Sequence, residues 1–178
     1  MSLPASGLVR SEAAVAILIQ KEEMARRSYC RILNIGSNTD GFKHAGINYP
    51  SRKKQEKIFR RVYAQLGLDP AQHPAYIETH GTGTPVGDPE ELAAISSTFC
   101  ASTVRKEPLL VGSVKSNMGH SESAAGLAGL AKATVTIQTG AIPGNLHFKK
   151  PRPELNGLMG EGKLRVGSCS ASKFTRQE

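Results

Sequence analysis

The sequence predicts an α/β protein, a sheet of strands covered by helices on its faces. Two observations lead there. Apolar runs and amphipathic or small-residue stretches follow one another in the order strand, strand, helix, strand, helix, strand, helix, and the connections between them are short. The chain has 178 residues, one domain's worth, enough to bury about 70% of its unfolded surface in a real core.

Each element has its own justification. "AAVAILI", residues 13–19, reads as a buried strand. "YCRILNIGS", residues 29–37, reads as a second strand that ends at the turn "GSNTDG". "SRKKQEKIFRRVYAQLGL" reads as a helix, with Ile58, Val62 and Leu66 spaced along one face and Gly67 as its stop. "AYIETH" is a short strand. "DPEELAAISSTFC" is a helix whose start is well marked: Asp88 suits the N-cap, Pro89 the first helical position and Glu91 the capping-box position. "PLLVGSV" is a strand bounded by Pro108. "SESAAGLAGLAKATVTI" is a helix of small residues. Gly126 and Gly129 each cost it about 1 kcal/mol against Ala. Close packing would offset that, so the helix is expected to be central and buried. No internal repeat or low-complexity segment is evident.

Composition narrows the function classes. Hydrophobic content is 39% and charged content 21%, which suits a globular protein. The net charge of +8 favours acidic partners. The basic residues fall in two groups: Arg52, Lys53, Lys54, Lys57, Arg60 and Arg61 on one helix, and Lys149, Lys150 and Arg152 near the end. A solvated helix face accounts for the first. No aromatics interleave with these charges and no zinc-finger pattern appears, so nucleic acid is not expected as a partner. The three cysteines, Cys30, Cys100 and Cys169, are far apart and form no CxxC pair, which argues against a disulfide framework or a metal site. "MSLPASGLVR" lacks the features of a signal peptide, and the longest apolar run is too short for a bilayer. A cytoplasmic protein with no membrane association is the expectation.

The chemistry concentrates in two loops that follow strands. The first, "HGTGTPVGDPEE", resembles a dinucleotide loop in its glycine spacing. Pro85, however, removes a backbone donor that phosphate would need. Asp88 puts negative charge where the phosphate would sit. The second, "VGSVKSNMGHSE", places Lys115, Asn117, His120 and Glu122 just past a strand. If the two strands are neighbours, His80 and His120 converge.

"HGTGTPVGDPEE" and "KSNMGHSESAAG" resemble the two histidine motifs of β-ketoacyl synthases, the condensing enzymes of fatty acid and polyketide synthesis. "RSEAAVAILI", "ILNIGSNTDGF" and "IPGNLHFKKPRPEL" fit the same family, in particular the ketosynthase domain of animal-type multifunctional fatty acid synthases. The resemblance implies a thiolase-like fold, here the C-terminal half of its layered αβαβα architecture. It covers residues 1–166 as a partial ketosynthase domain and leaves residues 167–178, "GSCSASKFTRQE", as a divergent tail. It implies decarboxylative Claisen condensation, with His80 and His120 as donors to an enolate oxygen. Lys115 would support the second histidine, with Glu122 and Asn117 in its polar network. Thr82 and Thr84 would hold the phosphopantetheine arm of acyl carrier protein, an acidic partner and the substrate carrier, with no cofactor bound directly. Asp88 and Glu91 would be structural caps. The family forms homodimers. Its nucleophilic cysteine sits in a small-residue elbow upstream of these motifs, a context that none of the three cysteines has. The expectation is a chain that begins after its nucleophile.

Overall fold

The computed structural model describes residues 7–101, 105–146, 148–160, 162–167 and 172–173. In chain order it contains α1 (Arg52–Ala64), β1 (Tyr76–Glu78), α2 (Gly87–Phe99), β2 (Leu109–Gly112), α3 (Lys115–Met118), α4 (Ala125–Thr139), β3 (Ala141–Ile142), α5 (Asn156–Gly160), β4 (Leu164–Val166) and β5 (Ser172–Lys173). β1, β2 and β4 form a parallel sheet with β2 in the middle. The register pairs Ile77 with Val111 and Val111 with Val166. β3 and β5 pair antiparallel.

The pleat sends alternate residues to opposite faces. Ile77, Leu109, Val111, Leu164 and Val166 meet Leu92, Ile95 and Phe99 of α2 in one apolar core. α1 lies outside α2, its Phe59 and Tyr63 rings each 5.4 Å from Phe99. On the other face, Tyr76 and Glu78 meet α4. A side chain at Gly129 would stand 3.3 Å from Glu78 Cγ. The layers therefore run α1, α2, sheet, α4, as the element order implied. Helices cover both faces of β2, which explains why all four of its residues are buried.

The helix ends follow their sequence signals closely at α1. Ser51 Oγ accepts the Lys54 N–H. The other end closes with Gly67 N–H to Ala64 O and Leu68 N–H to Tyr63 O, Gly67 being left-handed at φ +66°. The face of Ile58 and Val62 packs on the backbone at Gly36, while Leu66 lies beyond the last turn. At α2 the expectation fails: Asp88 lies inside the helix, after Gly87. It reaches back to the preceding loop instead of capping its own helix.

Two predicted strands are not strands. Residues 13–19 and 29–37 form no strand and pair with no other strand among the described residues. A strand is completed by a ladder partner, and periodicity supplies none. Side chains anchor the second segment instead: Asn34 Nδ2 donates to Val62 O, Arg61 to Ser37 O, and Gln138 to Tyr29 O. α4 is also less central than expected. Ala125, Ala128, Gly129, Lys132 and Thr136 are buried, but Leu127 and Val135 face outward. No helix among the described residues is long and apolar enough to cross a membrane.

Candidate active site

The C-terminal ends of β1 and β2 open into the two loops. Thr79 N–H continues the ladder to Gly112 O at 2.7 Å. One residue later, His80 leaves the sheet. Ser113 Oγ donates to His80 O at 3.2 Å and accepts the Lys115 N–H, so one hydroxyl ties the loops together.

The first loop is folded from within. Glu91 collects the N–H groups of His80 (2.6 Å) and Gly81 (2.9 Å), and Asp88 collects that of Gly83 (3.1 Å). Both carboxylates thus brace the loop rather than cap a helix, which corrects the capping-box assignment. These are the donors a phosphate would need, and they are already engaged. Gly81 and Gly83 adopt φ +48° and +82°, conformations that side chains resist. Thr82 and Thr84 hydroxyls lie 3.3 Å apart, and Thr84 also accepts the Gly87 N–H. Burial pushes the Glu91 carboxyl up, against the pull of the two N–H groups.

The second loop carries His120. Its ring lies 5.4 Å from that of His80, edge to face at 87°. The sequence expectation that the histidines converge is met. Glu122 N–H donates to His120 Nδ1 at 2.8 Å. A backbone amide can only donate, so Nδ1 is the bare nitrogen and the neutral ring carries its proton on Nε2. Burial, reinforced by the nearby Lys115 and His120, holds the His80 imidazole below its ordinary range. Burial also lowers the Lys115 ammonium, which Glu78 and Glu91 partly sustain. Two imidazoles in this setting can offer N–H groups to an oxygen that gains negative charge.

The other assigned residues divide. Lys115 sits in the field of Glu78 and Glu91, not of Glu122. Glu122 pairs outward with Arg10 Nε at 3.2 Å. Asn117 Nδ2 donates to Gly144 O, fixing a neighbouring loop. Of the cysteines, Cys30 Sγ lies 3.6 Å from Thr134 Oγ1 and Cys100 Sγ 3.3 Å from Lys163 O. Cys169 lies outside the described residues. A cavity of about 520 Å³ lined by Arg52, Ser97, Cys100, Arg105 and Lys163 sits at the opposite edge of the strands and touches neither histidine.

Sequence reasoning missed several members. Glu78 accepts the Val114 N–H and binds buried Lys132 at 2.9 Å, and Lys132 also donates to Tyr76 Oη. The signal was there: an acid two residues before His80, and one lysine in an otherwise uncharged helix. Arg152, which the sequence places only in a basic group with Lys149 and Lys150, is buried and donates to Gly83 O at 2.8 Å. Asn145 Oδ1 accepts the Ser113 N–H.

Comparison with known proteins fits this site. Residues 29–149 match the family described as "Beta-ketoacyl synthase, C-terminal domain". The chain belongs to the β-ketoacyl synthase family. The ketosynthase segment is 48% identical over 134 residues to a fatty acid synthase of Anser anser anser, a match covering 75% of this chain and 37% of that protein. It is 46% identical over 153 residues to a hybrid PKS-NRPS synthetase of Aspergillus violaceofuscus, covering 84% of this chain and 4% of that one. Among solved structures it superposes on the ketosynthase from module 1 of the bacillaene synthase of Bacillus amyloliquefaciens. The TM-score is 0.72 and the identity 36%, over 80% of this chain and 25% of that one. The fold is thus thiolase-like and partial, and the chain spans about a quarter of the solved ketosynthase.

Proposed function

We propose that this chain carries the two-histidine part of a decarboxylative Claisen condensation of acyl and malonyl thioesters, in fatty acid biosynthesis. The observation that carries the reading is the facing pair: His120, with its proton on Nε2, 5.4 Å from His80. In this reading the malonyl carboxylate leaves as carbon dioxide, and the electron pair of the broken C–C bond moves onto the thioester oxygen. His80 and His120 donate to that enolate oxygen. The enolate carbon then attacks an acyl thioester, forming the new C–C bond and expelling a cysteine thiolate. Thr82 and Thr84 hold the phosphopantetheine arm of an acidic acyl carrier protein. Lys115 supports the second histidine, His120. The setting is cytoplasmic, and the working unit pairs two ketosynthase chains.

The thiolate comes from outside this chain. The purified chain alone is expected to condense nothing, because no thiolate holds the acyl group and divides the reaction into two steps. The test supplies the upstream half of a related ketosynthase and measures carbon dioxide released from malonyl carrier protein. His80→Ala and His120→Ala should each slow release about 100- to 1000-fold. Thr82→Ala should mainly raise KM. Near-full decarboxylation by both histidine variants would refute the assigned roles. Condensation by the chain alone would make one of its own cysteines the nucleophile.

A second reading is favoured by the cysteines, since Cys30 and Cys100 lie against Thr134 and Lys163. The chain would then be a non-catalytic protein that binds acyl carrier protein or pairs with a complete ketosynthase. Saturable carrier binding without turnover in the complemented mixture would select it.

A further inference from the structure

His120 is held from outside its own loop. Its N–H donates to Val9 O at 2.7 Å, and its carbonyl accepts the Ser11 N–H at 2.9 Å. This is an isolated parallel bridge centred on Arg10. The residues before and after His120 are shaped to receive it. At Gly119, φ is +84°, and a Cβ there would stand 2.9 Å from Val9 O, so the close approach requires glycine. Glu122 is left-handed at φ +47°, rare for a residue with a side chain. That conformation aims its N–H at His120 Nδ1. Arg10 Nε then holds the Glu122 carboxylate at 3.2 Å.

We propose that residues 9–11 form a strap that fixes which ring nitrogen of His120 carries the proton, with Arg10 as a positioning residue. The two backbone bonds fix the height of His120, and the ion pair holds Glu122 in the one conformation that blocks Nδ1. Nε2 is thereby the ring nitrogen left to carry the proton, on a ring that meets that of His80 edge to face. The function of this strap rests on the reading of His120 as an oxyanion donor, but its geometry can be tested without turnover. Failure of the condensation reading would leave the tautomer untouched. Failure of the strap would leave the two-histidine pair in place.

The experiment uses the full chain labelled with ¹⁵N-histidine, at a pH where imidazole is neutral. Solution or magic-angle-spinning NMR serves equally, so association of the chain does not void it. His120→Gln assigns the ring signals. The wild-type His120 ring should be protonated at Nε2 only, whereas free histidine populates both tautomers. The Ser11 and His120 amides should exchange more slowly than that of Arg10. Arg10→Glu, which sets two carboxylates against each other, should move the tautomer ratio toward Nδ1–H by about fivefold, the scale of an exposed ion pair. Arg10→Lys should keep the wild-type ratio. A mixed wild-type tautomer, or unchanged tautomers in Arg10→Glu, would overturn the proposal. If Arg10→Glu fails to fold, the wild-type amides decide: exchange at the unprotected rate overturns the strap, and protection with an Nε2–H ring upholds it.

Discussion

At the scale of residues, the most consequential contact lies beneath the site. Lys132 and Glu78 form an ion pair with side-chain exposures of 6% and 14%. Lys132→Met should leave the carboxylate buried without its cation, at a cost of about 3–5 kcal/mol in urea unfolding. Lys132→Met with Glu78→Gln should recover part of that loss. Equal destabilisation by the single and double variants would show that the pair is not coupled. His80 supplies a pH dependence. Its folded imidazole is held below the ordinary value of about 6.5. As pH falls through that value the unfolded chain takes up a proton more readily than the folded one. The stabilising effect of a neutral His80 is thus complete above it and is lost as pH falls below it. A titration of the His80 ring signal with its midpoint above 6.5 would contradict this. Partners distant in sequence explain what the sequence concealed. His80 and His120 announce themselves through glycines and neighbouring strand ends, whereas Arg152 and Arg10 look like any surface cation until a carbonyl or carboxylate far away in sequence is placed beside them.

At the scale of elements, the two glycines of α4 separate propensity from packing. Gly126 has open space where a Cβ would go, whereas Gly129 abuts Glu78. Gly126→Ala should stabilise the chain by up to about 1 kcal/mol. Gly129→Ala should gain less or lose, since the same propensity gain is set against a displaced Glu78. Thermal unfolding of both variants checks the contrast, and an equal gain from each would remove the packing argument. The elements that were legible carry local signals: Ser51 and Gly67 bracket α1, and Pro108 precedes β2. The two misread strands carry the right apolar runs but have no strand to pair with among the described residues. No local pattern encodes such a partner. Asp88 was misplaced for a related reason, because an acid at a helix start serves a cap and a preceding loop equally well.

At the scale of the whole molecule, the unpaired segments set the behaviour of the isolated chain. Leu18 is 85% exposed, Ile19 71%, Leu33 61% and Ile35 85%. Apolar surface of this kind promotes association. The purified chain should sediment as concentration-dependent oligomers and bind a hydrophobic dye strongly. Supplying the upstream half of a related ketosynthase should suppress both. A monomer that unfolds cooperatively with little dye binding would show that these segments are shielded in solution.

The Arg152 bond to the Gly83 carbonyl spans 69 residues of sequence. On a ribosome the chain emerges from its amino end. His80 and its glycines leave the exit tunnel well before the arginine that steadies them has been made. At roughly 5–20 residues per second, the arginine is made about 3–14 s after Gly83. Until then the first loop has its own braces, Glu91 and Asp88, but not Arg152. Slowing translation after Gly83 has left the tunnel and before codon 152 should therefore lengthen the window in which a protease cuts near Gly83, while slowing upstream of codon 83 should not.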